Sequence, residues 1–571
     1  MSNQTTIPLP SRLLAVITVA VSFGFGTLGC GGTGGEGPPD DPAPAETIVT
    51  GKLENYAVRT DPGGMAVPFN EYFSLQVDVL TAEANEPAPE ADIELEVFVE
   101  SFGKSMPTSP DVTRLEGGTY RVDGMLLTVP RLWEMKIDVD GPAGRDVVRV
   151  PLDPVASLPT VDPSEGRFSK REIKRILTFS PEDMSLPASP SNAYADDPKA
   201  AHLGRFLFFD NRLSSNNAVS CSTCHLPSEG FGDGKKLAEG VGQTPRHAPT
   251  VLNAAYSRWF FWDGRVDSLW AQALQPIEAP KEHGFDRLSA VRHIADDEEL
   301  NEAYREVFGS LPDLKGLPDS ARPVPGNPEA TDHQNWMSID EQRRREITRA
   351  YANIGKAIAA YERKIVRLKA PFDRYVDGLR TGDTAKLSAI SEEAKEGLKL
   401  FVDQAECDLC HSGSQFTDSE FHTLGLGTQP WLPDDDAGRG AGASQVIEEE
   451  FNAAGDFSDA PEEALDHLNF LATDRFAQKG AFKTPTLRNV TDTAPYMHGG
   501  HFDNLREVVE FYADLQRDPP VGRRSSMIQP LELSDEEIEA LVAFMETLTG
   551  EPLPETLKSA PETPIPPESQ Q

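Results

Sequence analysis

Two short cysteine motifs in the 571-residue chain have the residue types and the spacing for chemistry. Cys221-Ser222-Thr223-Cys224-His225 and Cys407-Asp408-Leu409-Cys410-His411 each place two thiols directly before a histidine. Two such thiols can add to the two vinyl groups of one porphyrin, and the adjacent histidine then supplies a nitrogen to the iron. The motifs therefore predict two covalently bound haem c groups.

Other uses of paired thiols fit this sequence less well. A disulfide framework would not require a histidine after each pair. A zinc ribbon places its two pairs about 15–20 residues apart, whereas Cys224 and Cys407 are 183 positions apart. A thioredoxin-type motif expects a βαβ context, which the surrounding sequence lacks. Haem attachment is the interpretation that uses every residue of both motifs.

The N-terminal segment predicts export. Arg12 precedes the apolar run Leu13–Gly26, and small residues lead to Cys30, so residues 1–29 are interpreted as a signal peptide. Thr27 stands where a bacterial lipobox usually has leucine, yet a lipoprotein lipidated at Cys30 is favoured over plain secretion or a retained anchor. Export agrees with a periplasmic protein, since c-type haem is attached there. Residues 30–46 are rich in Gly, Pro and acid and predict a flexible tether.

The charge balance excludes one class of partner. The chain has 53 basic and 92 acidic residues and a net charge of −39. Nucleic acid needs a basic surface, so it is not expected as a partner. An acidic surface suits a cationic protein partner through electrostatic steering, although it also serves solubility alone.

Residues 47–153 predict a domain of β-strands. Apolar and polar residues alternate and turn residues separate the runs, which is typical of a small β-sandwich. No chemistry is visible in this region, and docking or spacing is its expected role. The predicted strands are Tyr72–Leu80, Ile93–Glu100, Tyr120–Leu127, Trp133–Asp140 and Asp146–Leu152.

After Asp153 the pattern becomes helical. Ser534 and Glu537 form a capping box before the last helix. The acidic segment 428–480 has no clear place in the fold, and the Pro- and Glu-rich tail 551–571 predicts disorder. The predicted helices are Lys199–Phe208, Glu341–Lys364, Ser391–Val402, Leu505–Ala513 and Ser534–Leu548.

Five further motifs lie around the two haem motifs between about Leu203 and Gly550. Together they resemble the bacterial di-haem cytochrome c peroxidases and the MauG-type di-haem oxidases. The resemblance implies two mainly α-helical cytochrome c domains, over 154–385 with the peroxidatic haem and over 386–550 with the electron-transfer haem. The motifs are Leu203-Gly204-Arg205-Phe206-Leu207-Phe208, Arg246-His247-Ala248-Pro249-Thr250, Phe261-Trp262-Asp263-Gly264-Arg265, Lys483-Thr484-Pro485-Thr486-Leu487-Arg488-Asn489 and Ala494-Pro495-Tyr496-Met497-His498.

The resemblance also assigns residues to the first haem. His225 is the proximal iron ligand, and the histidine that blocks the iron in peroxidases of the family falls at Glu239. That ligand is therefore missing, which implies an iron open to peroxide, with His247 as an alternative ligand. Glu282 occupies the position of the family's distal acid and would act in general acid–base catalysis. The alternative for Glu282 is an exposed loop residue.

The same resemblance places Gln272 in the distal pocket of the first haem. Trp262 falls between the two haems, where an indole would shorten the electron path. The alternative for Trp262 is an aromatic residue of the core.

At the second haem the resemblance gives His411 as proximal ligand and Tyr512 as distal ligand. MauG-type enzymes carry tyrosine at this position and the peroxidases carry methionine. An oxygen ligand stabilises oxidised iron, whereas a thioether raises the reduction potential. Tyr512 could instead be a core residue of its helix, in which case Met497 is the fallback ligand.

The family also holds a calcium ion between the haems. The resemblance implies backbone ligands from Thr493 and Pro495, and a side-chain ligand at the position of His247. Imidazole is a poor calcium ligand because calcium prefers oxygen. Calcium is therefore only a possible cofactor.

The resemblance implies a di-haem peroxidase that reduces hydrogen peroxide to water with electrons from a small cytochrome c or a similar redox protein. One alternative is a MauG-like oxidase that modifies a partner protein through a highly oxidised state of the haem pair. Others are a non-enzymatic electron carrier with two six-coordinate haems, and a sandwich-based binding module with redox-sensing haem domains. The only membrane contact expected is the lipid anchor.

Overall fold

The computed structural model describes residues 48–61, 67–159, 161, 166–461, 467–472, 478–515 and 517–567. The predicted signal peptide, Cys30 and the tether lie outside these residues. None of the helices in the described ranges has both the length and the apolar character needed to cross a membrane.

The N-terminal region consists of two antiparallel sheets that share one core. Val77 and Met125 from one sheet and Met135 and Ile137 from the other are fully buried, and Trp133 lies among them. The strand orders are β1-β2-β3-β7-β6 and β5-β4-β8-β9. The strands are β1 Ile48–Thr50, β2 Tyr56–Asp61, β3 Tyr72–Thr81, β4 Asp92–Val99, β5 Lys104–Ser105, β6 Asp111–Arg114, β7 Thr119–Leu126, β8 Trp133–Gly141 and β9 Gly144–Leu152.

The predicted order of a β region followed by a helical region is confirmed. All five predicted strands are present, with ends shifted by at most two residues. Sequence analysis missed β1, β2, β5 and β6. Three of them are short strands at the sheet edges, where one partner strand and partial exposure leave little alternation to detect.

The helical region contains fourteen helices and one further pair of strands in the described residues. All five predicted helices are present. The strands are β10 Phe421–His422 and β11 Phe482–Lys483. The helices are α1 Lys170–Phe179, α2 Pro198–Phe209, α3 Cys221–Cys224, α4 Leu269–Glu278, α5 Arg287–Asp296, α6 Glu298–Phe308, α7 Thr331–Ser338, α8 Glu341–Glu362, α9 Pro371–Thr381, α10 Thr384–Leu387, α11 Glu392–Val402, α12 Arg439–Glu448, α13 Leu505–Asp514 and α14 Asp535–Glu546.

The first helical core forms where α2 and α4 pack on α8. Asp197 caps α2 by accepting hydrogen bonds from Lys199 and Ala200, and proline occupies the first helical turn. Gly204 allows the close approach of α2, because a Cβ there would collide with the Ala357 carbonyl of α8. The motif 203–208 therefore packs on α8 and supports the first haem motif, which comes next in the chain.

The second helical core is aromatic and centres on α11 and α14. Phe372, Phe401, Phe416 and Phe544 pack together with Phe179. The capping box at the start of α14 is present as predicted. Since α1 and α9 pack into this core, residues before 386 belong to it. The structure therefore differs from the predicted division at 385/386, because helices earlier in the chain cross over to the second core.

The described part of the acidic segment 428–480 packs on the first helical core. Phe451 and Phe457 pack into the first core. Arg439 of α12 is almost fully buried, with its guanidinium 4.6 Å from the Trp259 ring centre and 4.1 Å from that of Phe421. Buried cation–π contacts of this kind contribute roughly 2 kcal/mol or more. The described residues of this segment are thus an integral part of the fold.

The prediction of a disordered tail is wrong for residues 551–567. Leu553 is 8% exposed and belongs to the first core. The Tyr361 hydroxyl donates a hydrogen bond to the Leu557 carbonyl at 2.5 Å, and Arg205 Nε donates to the Ser559 carbonyl at 2.8 Å. Composition misled here because a few apolar side chains and backbone carbonyls are enough to fix a Pro-rich segment on a helical surface.

Deleting residues 551–571 should destabilise the holoprotein. Loss of one buried leucine side chain costs about 1.5–3 kcal/mol, so a decrease of at least about 2 kcal/mol in the free energy of unfolding is expected. Thermal unfolding of the holoprotein measures this effect. Deleting only 568–571 is the control and should change little. Equal stability of both truncated proteins would contradict a packed tail.

Candidate haem sites

The first haem motif forms one tight helical turn. The Ser220 backbone N–H donates to the Thr223 hydroxyl at 3.0 Å, and the His225 backbone N–H donates to the Cys221 carbonyl at 3.0 Å. The His225 ring donates from Nδ1 to the Phe231 carbonyl at 3.1 Å. Burial lowers the pKa of His225 and keeps the ring neutral. Its Nε2 is left for a metal, which is the arrangement typical of an iron-binding histidine.

The second motif repeats this arrangement with a 3₁₀ turn over Cys407–Leu409. The His411 backbone N–H donates to the Cys407 carbonyl at 2.8 Å, and its Nδ1 donates to the Phe416 carbonyl at 2.9 Å. The four cysteines of the two motifs are free thiols, so no disulfide competes with haem attachment. Both motifs therefore fit a covalently bound haem.

A cavity of about 610 Å³ adjoins the second motif. This volume lies within the range of sites for drug-sized ligands and cofactors. Cys407, Cys410 and His411 line it, and both predicted distal ligands, Tyr512 and Met497, line it as well. Burial raises the pKa of the Tyr512 phenol. The cavity fits a porphyrin, and the choice between the two distal ligands stays a prediction.

Trp262 reaches the cavity of the second haem. Its indole N–H donates to the His247 carbonyl at 2.9 Å, and its own carbonyl accepts from the Lys483 N–H of β11 at 2.8 Å. Its ring centre lies 6.4 Å from that of His498. One hydrogen bond holds the indole and the other holds the backbone of Trp262 at the wall of the cavity. Its contact with the second site is a structural fact, whereas its role as a bridge stays a prediction.

His247 is held at the same junction. Its Nδ1 donates to the Lys235 carbonyl at 2.7 Å, and its backbone N–H donates to the His498 carbonyl at 2.8 Å. The residue is buried and lines the second cavity together with Thr493 and Pro495. These bonds restrain the movement that ligation of the first haem would need. Thr493 and Pro495 as calcium ligands remain a prediction.

Glu282 lies beside the first motif, in the loop after α4. Burial raises the pKa of Glu282, and Arg265 acts in the opposite direction. Burial also raises the pKa of the Cys224 thiol to about 11, to which Asp233 and Glu282 contribute through their negative charges. The side chain is therefore half-buried, and its charge acts on the Cys224 thiol of the motif. It is not the exposed loop residue that the polar sequence also allowed.

The two other residues assigned to the first site differ in exposure. Glu239 has a 66% exposed side chain, and its carboxylate pairs with Lys235 at 3.0 Å. No imidazole or other strong ligand therefore stands at this position. Gln272 is half-buried on α4, with its backbone N–H bonded to the Ser268 carbonyl. Its place in a distal pocket stays a prediction.

Sequence analysis missed a buried acid at the first site. Glu362, at the end of α8, is 3% exposed, and its Oε2 has no hydrogen-bond partner among the described residues. Burial raises the pKa of Glu362 to about 8. After burial itself, its charge is the largest influence that raises the pKa of Cys221. In the sequence it looks like an ordinary polar residue of a helix.

One set of side chains in the described residues has the composition of a metal site. Atoms of Cys410, Asp418 and His422 lie within 4.8 Å of one another. Cys410 belongs to the second haem motif, and Asp418 already accepts hydrogen bonds from Lys104 and His422, each at 3.0 Å. We therefore assign these residues to the surroundings of the second haem motif.

Known proteins match the helical region. A family model described as di-haem cytochrome c peroxidase matches residues 198–381. The chain is 34% identical over 379 residues to the methylamine utilization protein MauG of Methylorubrum extorquens, covering 66% of this chain and 85% of that protein. It is 34% identical over 377 residues to the cytochrome-c peroxidase IdrP1 of Denitromonas iodatirespirans, covering 64% and 87%. It is 28% identical over 398 residues to the cytochrome c551 peroxidase of Nitrosomonas europaea, covering 66% and 93%.

The fold and the two motifs define an oxidoreductase with two c-type haems. The chain belongs to the di-haem cytochrome c peroxidase family, and the resemblance seen in its sequence is confirmed.

Proposed function

We propose that the protein is a periplasmic peroxidase that reduces hydrogen peroxide to water with electrons from a small cytochrome c or a similar donor. The observation that carries this proposal is a desolvated acid, Glu282, close to a haem motif whose blocking position is occupied by the exposed Glu239. The helical region is interpreted as two cytochrome c domains. Attachment to a membrane is proposed only through a lipid on Cys30.

Six residues would hold the cofactors. Their thiols and imidazoles lie in the same order and geometry at both motifs. When bound, haem iron supplies the electrons and the coordination position for peroxide. Calcium, with carbonyl ligands from Thr493 and Pro495, would be an additional ion between the two sites. The haem-holding residues are Cys221, Cys224 and His225 at the first site and Cys407, Cys410 and His411 at the second.

Glu282 would move the proton of the reaction. A carboxyl in desolvated surroundings can take a proton from one peroxide oxygen and return it to the other, which then leaves as water. Burial raises the pKa of this carboxyl, and Arg265 acts in the opposite direction. Gln272 would orient peroxide by hydrogen bonding. These roles need a pocket that excludes bulk water, which the burial of Glu282 supports.

The second site would store and pass electrons. Trp262 is proposed as the path between the sites, because it lines the second cavity, its indole N–H donates to the His247 carbonyl and its backbone carbonyl accepts from the Lys483 N–H. Tyr512 is proposed as the distal ligand, and its oxygen would lower the reduction potential of this haem. The acidic surface, with net charge −39, suits a basic donor protein.

A second candidate function is oxidation of a partner protein, which the resemblance to the MauG-type di-haem oxidases implies; one relative of the chain is a methylamine utilization protein MauG. Tyr512 in the second cavity favours it, because an oxygen ligand stabilises the oxidised haem. Such a haem stores oxidising equivalents well and accepts electrons poorly from a donor of high potential. Turnover separates the two functions. A peroxidase oxidises many equivalents of reduced cytochrome c per molecule, whereas a protein oxidase does so slowly.

Glu282→Gln should lower kcat/KM for hydrogen peroxide by about 10²–10⁴, since loss of a general acid–base has this effect. The assay follows oxidation of reduced cytochrome c by peroxide. Glu302→Gln on the exposed side of α6 removes the same charge and should leave the rate unchanged. A rate for Glu282→Gln equal to that of the unmodified protein would rule out this role of the carboxyl.

Tyr512→Phe should alter the optical and EPR spectra of the second haem, because it removes the ligand oxygen and retains the ring. Met497→Leu is the matched variant and should leave the second-haem spectrum intact. The opposite pattern would make Met497 the ligand. Both residues line the same cavity, so the pair of spectra distinguishes them directly.

A further inference from the structure

The β-sandwich contacts the second haem motif through a buried lysine. Lys104, the first residue of β5, is 3% exposed. Its Nζ lies 3.0 Å from Asp418 Oδ2 and 3.0 Å from Glu420 Oε1, and it donates to the Leu409 carbonyl inside the motif at 3.5 Å. Burial acts to lower the pKa of Lys104, but Glu420 and Asp418 raise it above its usual value, so the side chain is charged.

A second cation of the sandwich reaches the interior of the motif itself. Arg131 Nη2 lies 2.7 Å from Oδ1 of Asp408, which stands between the two motif cysteines and is fully buried. The other carboxylate oxygen of Asp408 accepts from Arg175 of α1 at 3.1 Å. The residue after the proximal histidine, Ser412, donates from its hydroxyl to the Thr128 carbonyl at 2.7 Å.

The sandwich also forms part of the wall of the second cavity. Ser101 and Phe102 line it together with Cys407 and Cys410. The Arg131 guanidinium lies 5.6 Å from the Phe102 ring centre. The two cations, Lys104 and Arg131, and the residues that line the second cavity therefore come from one continuous surface of the sandwich. This surface covers the side of the second motif to which haem would be attached.

Charges in this surface act on the second site in a poorly screened environment. Asp408 and Asp418 have side chains that are 0% exposed, so each requires a cation close by. Coulomb interactions at such burial are several-fold stronger than in water. A positive charge there favours the reduced haem, which carries one more electron, and an unpaired carboxylate disfavours it.

We propose that the β-sandwich is a working part of the second haem site, in which Lys104 and Arg131 set the reduction potential of that haem. This inference rests on the proposed presence of haem at the second motif. Lys104 and Arg131 are positioning residues that act through the carboxylates beside the motif. The sandwich therefore tunes electron transfer and is more than a spacer between the anchor and the haems.

Potentiometric titration of full-length holoprotein tests the proposal, with each haem followed by its optical spectrum. Lys104→Met should make reduction of the second haem at least tenfold less favourable, which is 59 mV for one electron. The potential of the first haem should not move. Lys104→Arg keeps the positive charge, so the potential of the second haem should stay close to that of the unmodified protein.

Asp408→Asn should shift the potential of the second haem in the opposite direction. It therefore distinguishes loss of charge from a folding defect in Lys104→Met. Burial raises the pKa of Asp408 to about 7, so the titrations are run at pH 8, where the variant removes a negative charge and keeps the size of the side chain, and the potential of the second haem should rise. General loosening of the site does not predict opposite shifts from the two variants. Arg59→Met removes a sandwich cation that pairs with Asp78 within the sandwich, and it should leave both potentials unchanged.

Two results would overturn the proposal. They are an unchanged second potential in both Lys104→Met and Asp408→Asn, or shifts of the same sign in both variants. The amount of haem per protein, measured on the same samples, separates this failure from failure of the proposed function. If both haems are present and their potentials are the same in the variants as in the unmodified protein, only the tuning role is contradicted. A protein with no haem at the second motif contradicts the di-haem assignment itself.

Discussion

The structure depends on one repeated interaction, the hydrogen bond from a histidine Nδ1 to a backbone carbonyl a few residues further along the chain. His225 bonds to Phe231, and His411 bonds to Phe416. Each bond fixes the ring through Nδ1 and leaves Nε2 available to a metal, and in the preceding tight turn the histidine N–H bonds back to the carbonyl of the first cysteine. The helices around each motif must then supply walls. The first core does so through α2 and α8, and the second through its cluster of phenylalanines.

With the proximal sides alike, the two sites differ through the residues that surround them. The first has two desolvated acids nearby, Glu282 and Glu362, whose pKa values are raised by burial. The second has an apolar cavity with Tyr512 and Met497, and buried ion pairs at its motif. Such a division suits proton transfer at one site and electron storage at the other. Trp262 lies at the wall of the second cavity and is held by hydrogen bonds with His247 and with Lys483 of β11.

Sequence analysis succeeded where the signal is local. The haem motifs follow from covalent chemistry, the five long strands from alternation, and the helices from periodicity and caps. It failed where distant parts of the chain meet. Lys104 stands in a polar turn-like sequence, and only its contacts 300 residues away at Leu409 and Asp418 show that it is buried. The crossing of α1 into the second core, the packing of the tail through Leu553 and the position of Arg439 have the same cause.

The central claim is that the first haem is open and the second is closed. The most direct measurement is the EPR spectrum of the fully oxidised holoprotein, before and after one equivalent of hydrogen peroxide. We expect a high-spin ferric signal from the first haem beside a low-spin signal from the second, and rapid loss of the high-spin signal with peroxide. Two low-spin signals that do not respond to peroxide would contradict the claim and indicate an electron carrier.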